Sequence, residues 1–501
     1  MNVMAWRAWL KTDGGIAVAI FVVLSSIYFA TITGVTSSND GSHYAAVRAI
    51  VENGTFEISP FWDYTEHVDY AFVGQRKFSD RPPATALAAS VTYGLGQLLP
   101  SAFAAIPSRH DPDNPRLIYA VMAASLLMSG AVALFFLSLR RHFGVSAAGA
   151  LLACVALGLA TTTWKYGSLL YSHATAAFLT WIALFLIFEA EQDMRPNALH
   201  ALGIGFALAA STLAEYTHAI FAVMATIYGT LVFGRVFIDG VRSSERGAWW
   251  ARLGALAAGM AAPLTFLLLY NTVNFGGLFE LSAYHVNTAL WPEDVSVAAQ
   301  FINPITVGLT ALTLYGSGNQ GLFLLSPIAL AGLPGVLILF RRSRRRAWLL
   351  VGAFAAFLLL VSTYVDFNPL TNDSRYLTPY LGLWFVPVAL WLDERLVGLR
   401  LDTPRGIFWT LMICGLVWLS IRNQIMVIAF SWNHDLDLAA LKPGAILPEN
   451  IATLYRTVFR NTLNLPLLWL VEALGAGLIV GAGWVARRIA GTFSRNQASD
   501  Q

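Results

Sequence analysis

Residues 116–139 read RLIYAVMAASLLMSGAVALFFLSL, and Arg140-Arg141 follow at once. No charge interrupts the run between Arg116 and Arg140. A helix rises 1.5 Å per residue, so about 20 apolar residues cross ~30 Å of hydrocarbon. The stretch therefore reads as a membrane span that ends on a basic anchor. Comparable windows recur at 15–35, 145–162, 172–190, 199–214, 219–234, 250–272, 321–340, 347–364, 375–392, 406–428 and 466–486. With the first, these make an all-α polytopic membrane protein of about 12 transmembrane helices, a single domain over residues 1–501.

Composition agrees. Apolar residues make up 56% of the chain and charged ones 12%, against roughly 25% charged in a soluble domain. Arg7 and Lys11 precede the first apolar run, which is too long for a signal-peptide core and lacks a small-residue cleavage site, so it reads as an uncleaved span. Cys154 and Cys414 stand alone inside apolar runs, which leaves neither a disulfide framework nor a thiolate metal site. A net charge of +3 with no basic, aromatic-rich stretch excludes nucleic acid as a partner.

Two shorter apolar pieces, 83–99 and 303–318, open at prolines, and the loop charges decide how to read them. Cytoplasmic loops are enriched in Lys and Arg. With twelve spans and a cytoplasmic N-terminus, 20 of the 32 Lys and Arg fall inside, among them Arg140-Arg141, Arg235 to Arg252, Arg341 to Arg346, Arg395 to Arg405 and Arg487-Arg488. Counting 83–99 as a span would turn the Arg341 to Arg346 cluster outward. Both pieces are therefore expected to be interfacial helices on the outer face. Both termini are then cytoplasmic, the protein is multi-pass in the inner (plasma) membrane, and three long outer segments remain at 36–115, 273–320 and 429–465. Those segments and the outer ends of neighbouring spans hold Asp40, Glu57, Asp63, Asp69, Asp80, Asp366 and Asp373, so chemistry is expected on the outer face.

The first outer segment opens TSSNDGSHYAAVRAIVENG (36–54). Ser38 or Asn39 can cap a helix there and Gly54 can end it. Asp40 falls in the first turn, where the helix dipole favours a carboxylate, and shares a face with His43, Tyr44 and Val47. By itself such an acid explains no more than a helix start.

Its placement says more. An acid just after the first span, then a short helix and a proline-initiated one, resembles the first outer loop of the GT-C superfamily of membrane glycosyltransferases, which includes the protein O-mannosyltransferases and lipid A aminoarabinose transferases. The matching residues are Asp40 in NDGSHYAAVRAIVENGTF and the later KFSDRPPATALAASVTYGLG, with further echoes in YSHATAAFLTW, NTVNFGG and SRYLTPYLGLWFVPV. The chain departs from the pattern in having Asp40-Gly41 where the family often has an acidic pair. It also has Arg81 before Pro82-Pro83, with Lys77 one turn earlier, and His173 where a second acid is often found. The resemblance implies a polyprenyl-phosphate-linked sugar donor and no metal or other cofactor.

Sugar transfer from such a donor needs a base for the acceptor's proton and cations for the departing phosphate. Asp40 is the first candidate base, with His173 or Asp80 as alternative or helper. Lys77, Arg81, Lys165, Arg375 and Arg422 are candidate phosphate-binding cations. Arg422 stands out because an ionisable group within an apolar span is costly, although snorkelling to the headgroups explains it equally well. His43, Tyr44, Tyr376, Asn319 and Gln320 are candidate substrate-binding residues. His43, His173, His218 and His285 all fall at the outer face, yet no HxxxH or HxH spacing links them, so no metal site is expected.

The expected function is inverting sugar transfer from a polyprenyl-phosphate donor to an outer-face glycolipid, polysaccharide or protein acceptor. Two alternatives share the architecture. A transporter or lipid flippase would more often show two similar halves, which this chain lacks, and a lipid-linked polysaccharide polymerase or ligase would use a diphosphate-linked glycan.

Overall fold

The computed structural model describes residues 12–32, 34–99, 116–193, 197–286, 300–316, 319–365, 374–396, 403–430 and 477. The twelfth expected span (466–486) apart from residue 477, nearly all of the 429–465 segment, Asp366, Asp373 and Arg487-Arg488 lie outside these residues.

The first long helix, Asp13–Ala30 (α1), starts behind Thr12, whose hydroxyl accepts from the Gly15 N–H at 3.1 Å. Then come Ser38–Asn53 (α2), the antiparallel strands Ala71–Val73 (β1) and Arg76–Phe78 (β2), and Ala84–Gly96 (α3). The helices Leu117–His142 (α4), Ala147–Leu159 (α5), Thr163–Gly167 (α6), Ser172–Asp193 (α7), Ala198–Ala214 (α8), Ala219–Arg242 (α9) and Arg246–Phe275 (α10) follow. After Ile305–Thr313 (α11), Tyr315–Gly316 (β3) pairs with Asn319–Gln320 (β4). The described chain then runs through Leu322–Leu325 (α12), Gly332–Arg342 (α13), Arg344–Ser362 (α14), Leu381–Leu396 (α15) and Pro404–Phe430 (α16).

Among the described residues, seven helices are long and apolar enough to cross a membrane: α1, α4, α7, α9 with the turn before it, α10, α14 and α16. α5 and α8 are shorter apolar helices. The apolar windows at 321–340 and 375–392 are not single helices. The first breaks into α12, a 3-10 turn at Pro327–Ala331, and α13, while the second opens with a 3-10 turn at Arg375–Tyr380 before α15. Pro327 and Pro379 sit in these turns, where a missing N–H and a fixed φ favour short-pitched structure over a continuing α-helix. Of the two ambiguous pieces, α3 has 13 residues and α11 has nine, both too short for the ~30 Å of hydrocarbon.

Apolar residues of α1, α4, α5, α7, α13, α14 and α15 form the main core. Small residues let these helices approach closely. A Cβ on Gly205 of α8 would lie 2.2 Å from the Leu256 carbonyl oxygen of α10, and one on Gly259 of α10 would lie 2.1 Å from that of Leu202. Only hydrogen fits at either position.

The bundle has two chemically different ends. At one end the arginines grip helix ends: Arg140 with Asp13 at 2.9 Å, Arg346 with Glu191 at 2.7 Å, and Arg342 with Glu394 at 3.4 Å. Asp393 there accepts the Ser146 N–H at 3.1 Å. The other end gathers α2, the β1–β2 ribbon, α6, the start of α7, the α8–α9 junction and the 375–380 turn. Main-chain bonds tie this end together: Phe72 N–H donates to the His285 carbonyl at 2.9 Å and Ile58 N–H to that of Lys77 at 2.8 Å. Bridges at Glu57–Phe78 and Ala71–Val286 extend the tie.

Candidate active site

The cap of α2 is Ser37, one residue before the expected Ser38 or Asn39, and Gly54 ends the helix in the left-handed conformation at φ 65°. Asp40 turns back onto this cap. Its Oδ2 accepts from Thr36 N–H (2.8 Å) and Thr36 Oγ1 (3.1 Å), and its Oδ1 from Ser37 N–H (2.7 Å) and Ser37 Oγ (2.7 Å). Four donors fill the roughly four acceptor positions of a carboxylate. Burial raises the Asp40 carboxyl above its ordinary range, and the four hydrogen bonds pull against that rise. Ser37 Oγ also lies 2.9 Å from Tyr171 Oη, so Asp40 is linked through one hydroxyl to the stretch leading into α7.

A second cluster forms where β2 gives way to α3. Arg81 ion-pairs with Asp69 at 2.9 Å and with Asp80 at 3.2 Å. Ser38 Oγ donates to Asp69 at 2.6 Å and Ser42 Oγ to Asp80 at 2.8 Å, so successive turns of α2 hold both acids. Ser282 Oγ donates to the Asp80 carbonyl at 2.8 Å, which joins the segment after α10 to the same point. Burial pushes the Asp80 carboxyl up to about 6 against the pull of Arg81, with Asp69 adding to the rise. Arg81 remains a cation because the attraction of the two acids outweighs burial, and it feels the like charge of Arg375.

The third cluster contains a residue that the sequence reading did not single out. Glu215, in the α8–α9 junction, accepts from Ser172 Oγ at 2.8 Å and meets His173 Nδ1 at 2.5 Å. Its other oxygen lies 3.7 Å from His218 Nε2. Burial alone would raise this carboxyl, but His173, His218 and Ser172 outweigh burial and hold it at about 2. The one sequence signal was an acid between two apolar windows, in LAEYTHAI. The His173 ring sits edge-on to Tyr166 at 4.9 Å and lies 5.8 Å from Tyr171 and 6.4 Å from Tyr376.

The other expected residues divide by position. Lys165, fully buried on α6, has its ammonium 5.4 Å from the Tyr166 ring. The Arg375 guanidinium lies 5.9 Å from Tyr171 and 4.9 Å from Tyr376, whose hydroxyl accepts from Arg375 Nη2 at 2.9 Å. The rings that these two cations meet, Tyr166, Tyr171 and Tyr376, are the ones that neighbour His173. Lys77 lies over the Trp62 ring at 4.2 Å. Tyr44 leaves the face it shares with Asp40 in sequence and packs between Tyr64 and Tyr93 in the apolar cluster under the first outer segment. Arg422 stands on α16 beside Asn423, 3.3 Å away. The backbones of Asn319 and Gln320 pair in β4, and their side chains lie outside the described residues. His285 stacks on Phe275 at 5.0 Å. Among the described residues, no group of three or more His, Cys, Asp and Glu is arranged to hold a metal ion.

No protein-family model matches the chain, and no curated protein matches it either. Solved structures do. The apo structure of ArnT from Cupriavidus metallidurans superposes at a TM-score of 0.50 and 14% identity, over 94% of this chain and 78% of that one. The fold is that of this solved ArnT structure. Further solved structures give lower scores. ArnT from the same organism bound to undecaprenyl phosphate reaches 0.48 at 14% identity, over 95% of this chain and 78% of that one. The Archaeoglobus fulgidus oligosaccharyltransferase reaches 0.46 at 12% identity, over 85% of this chain and 57% of that one.

Proposed function

We propose that this chain is a membrane glycosyltransferase that moves a sugar from a polyprenyl-phosphate carrier to an acceptor on the outer face of the inner membrane, inverting the anomeric carbon. The observation that carries the reading is the gathering of Arg81, Arg375 and Lys165 with Asp40, Asp80, His173 and Glu215 at the end of the bundle away from the arginine-rich turns. The GT-C fold agrees with it. The positive-inside rule makes the arginine-rich end cytoplasmic, so the site faces outward and both termini are cytoplasmic. The twelve-span count belongs to this reading, with α3 and α11 lying along the outer interface.

The chemistry follows from charge. The acceptor's oxygen or nitrogen attacks the anomeric carbon from the face opposite the phosphate, the carbon–oxygen bond to phosphate breaks, and its electron pair leaves with the phosphate. Arg81, Arg375 and Lys165 stabilise the growing negative charge, as preorganised cations do in a water-poor site. Asp40 takes the acceptor's proton. Its acceptor positions are filled at rest, so a Thr36 or Ser37 hydroxyl rotates aside to admit the acceptor. The acceptor is a glycolipid, a polysaccharide or a protein.

The test is transfer of radiolabelled sugar from undecaprenyl-phosphate donors by protein in lipid nanodiscs, comparing the parent with Asp40→Asn. The parent is expected to transfer and the variant to fall by about a thousandfold, in the range that loss of a general base produces. Full transfer by Asp40→Asn would remove Asp40 from the base role. A parent inactive with every monophosphate donor but active with a diphosphate-linked glycan would move the chain to the polymerase class, and sugar-lipid translocation without transfer would make it a flippase.

A further inference from the structure

Besides His218, whose bare Nε2 lies 3.7 Å from Glu215, two buried imidazoles near the acid clusters have bare nitrogens. His43, 1% exposed, has no hydrogen-bond partner at either Nδ1 or Nε2, and His173, 4% exposed, has none at Nε2. Native proteins rarely leave buried polar atoms unmade, and exceptions call for an explanation. His43 follows Ser42, whose hydroxyl binds Asp80, and it feels the charges of Arg81, His173 and Glu215. It therefore lies within electrostatic reach of all three groups.

The hydrogen-bonding capacity of His43 and the orientation of His173 are defined. Burial holds His43 down at about 3, so at neutral pH it is uncharged, with one nitrogen donating and the other accepting. Glu215 takes the Nδ1 side of His173 at 2.5 Å. A carboxylate on one nitrogen fixes the orientation of the ring, which leaves Nε2 turned away from Glu215 and open to a ligand. Tyr166, Tyr171 and Tyr376 add aromatic surface around His173.

Resting on the reading that the donor is a lipid-phosphate sugar, we propose that His43 and His173, the latter positioned by Glu215, form the subsite for the sugar ring of that donor and select an uncharged, hydroxyl-rich sugar. A hydroxyl both gives and takes a hydrogen bond, so neighbouring hydroxyls satisfy a mixed set of donor and acceptor nitrogens. A carboxylate only accepts and would face Glu215. An ammonium only donates and would sit close to Arg81. Either charged sugar leaves part of the set unmatched.

The test measures binding in nanodiscs by tryptophan fluorescence, with undecaprenyl phosphate alone and with carriers bearing glucose, glucuronate or an amino sugar. The parent is expected to bind the glucose-bearing carrier at least about tenfold tighter than the bare carrier, the scale of one or two well-made hydrogen bonds. His43→Phe and Glu215→Gln should each erase that gain while binding the bare carrier like the parent, which also reports that they fold. His43→Gln, which keeps a donor and an acceptor, should recover part of it. A parent that binds the bare carrier but gains nothing from glucose overturns the subsite alone, as do tighter binding of a charged sugar and equal weakening of both ligands in the variants. A parent that does not bind the bare carrier overturns the transferase reading and the subsite together.

Discussion

Replacing Gly41 with alanine should damage the site from one residue away. A Cβ at position 41 would stand 1.8 Å from the Tyr64 carbonyl oxygen and 2.8 Å from its carbon, where real Cβ atoms keep beyond 3.0 Å. Both sides of this contact are backbone, so the 3-10 turn Ser59–Thr65 or the start of α2 must retreat by about 1.2 Å, the gap between 1.8 and 3.0 Å. Overpacking of this kind costs about 2–3 kcal/mol, and the helix preference of alanine over glycine returns roughly 1, leaving a net loss of about 1–2 kcal/mol. The functional loss should be larger. Asp40 precedes Gly41, and a displacement near 1 Å costs on the order of a hundredfold in turnover. The assay is thermal unfolding in detergent together with sugar transfer in nanodiscs. The control is Gly94→Ala in α3, where no atom lies within 4 Å of the added Cβ. That variant should be as active as the parent and more stable by about 0.5–1 kcal/mol. Full activity and stability in Gly41→Ala, or an equal loss in Gly94→Ala, would refute the reasoning. The same contact accounts for the glycine where the resembling family often has a second acid, since no side chain fits at position 41.

Arg81→Gln leaves Asp69 and Asp80 together without their shared cation. The Asp80 carboxyl, at about 6 in the parent, should rise, the pH profile of transfer should shift upward, and turnover should fall about a hundredfold; an unchanged profile and rate would contradict this. Asp80 also makes a stability prediction, because its folded pKa of about 6 exceeds its ordinary 3.8. The folded state binds that proton more tightly than the unfolded chain, so the contribution is complete below about pH 4 and is lost as pH climbs to about 6. Unfolding temperatures of the parent and Asp80→Asn across that window should diverge with pH, and parallel curves would count against the assignment. A cysteine at Thr55 and one at Ser343, each in a background without Cys154 and Cys414, should react with an impermeant maleimide from opposite sides of the membrane. Labelling from one side would end the outer-face reading.

Helix placement was legible because hydropathy is a local property of the chain. α4 and α7 appear close to where their apolar windows lie, and the glycine stop of α2 follows from its left-handed φ. The breaks at 326–331 and 375–380 were harder to see, because their apolar content hides prolines that matter only once a helix tries to continue through them. Tyr44 shows the limit of reasoning from one helix face. Its spacing from Asp40 is right, but Tyr64 and Tyr93 arrive from elsewhere in the chain to claim it. Glu215 shows the same limit in reverse. Its only local mark is an acid between two apolar windows, and its importance arises when α7 packs on α8 and delivers Ser172 and His173 to its carboxylate.

The ties of the β1–β2 ribbon to Ile58 and to the segment after α10 bear on how such a protein changes over time. Phe72 to His285 and Ile58 to Lys77 are joined through peptide groups, which every residue but proline can supply. Mutations can therefore rewrite side chains along this wall without undoing its construction, so the surface it presents can change on a standing frame. A frame held by hydrogen bonds between peptide groups and by close helix contacts can persist at the 14% identity that separates this chain from ArnT.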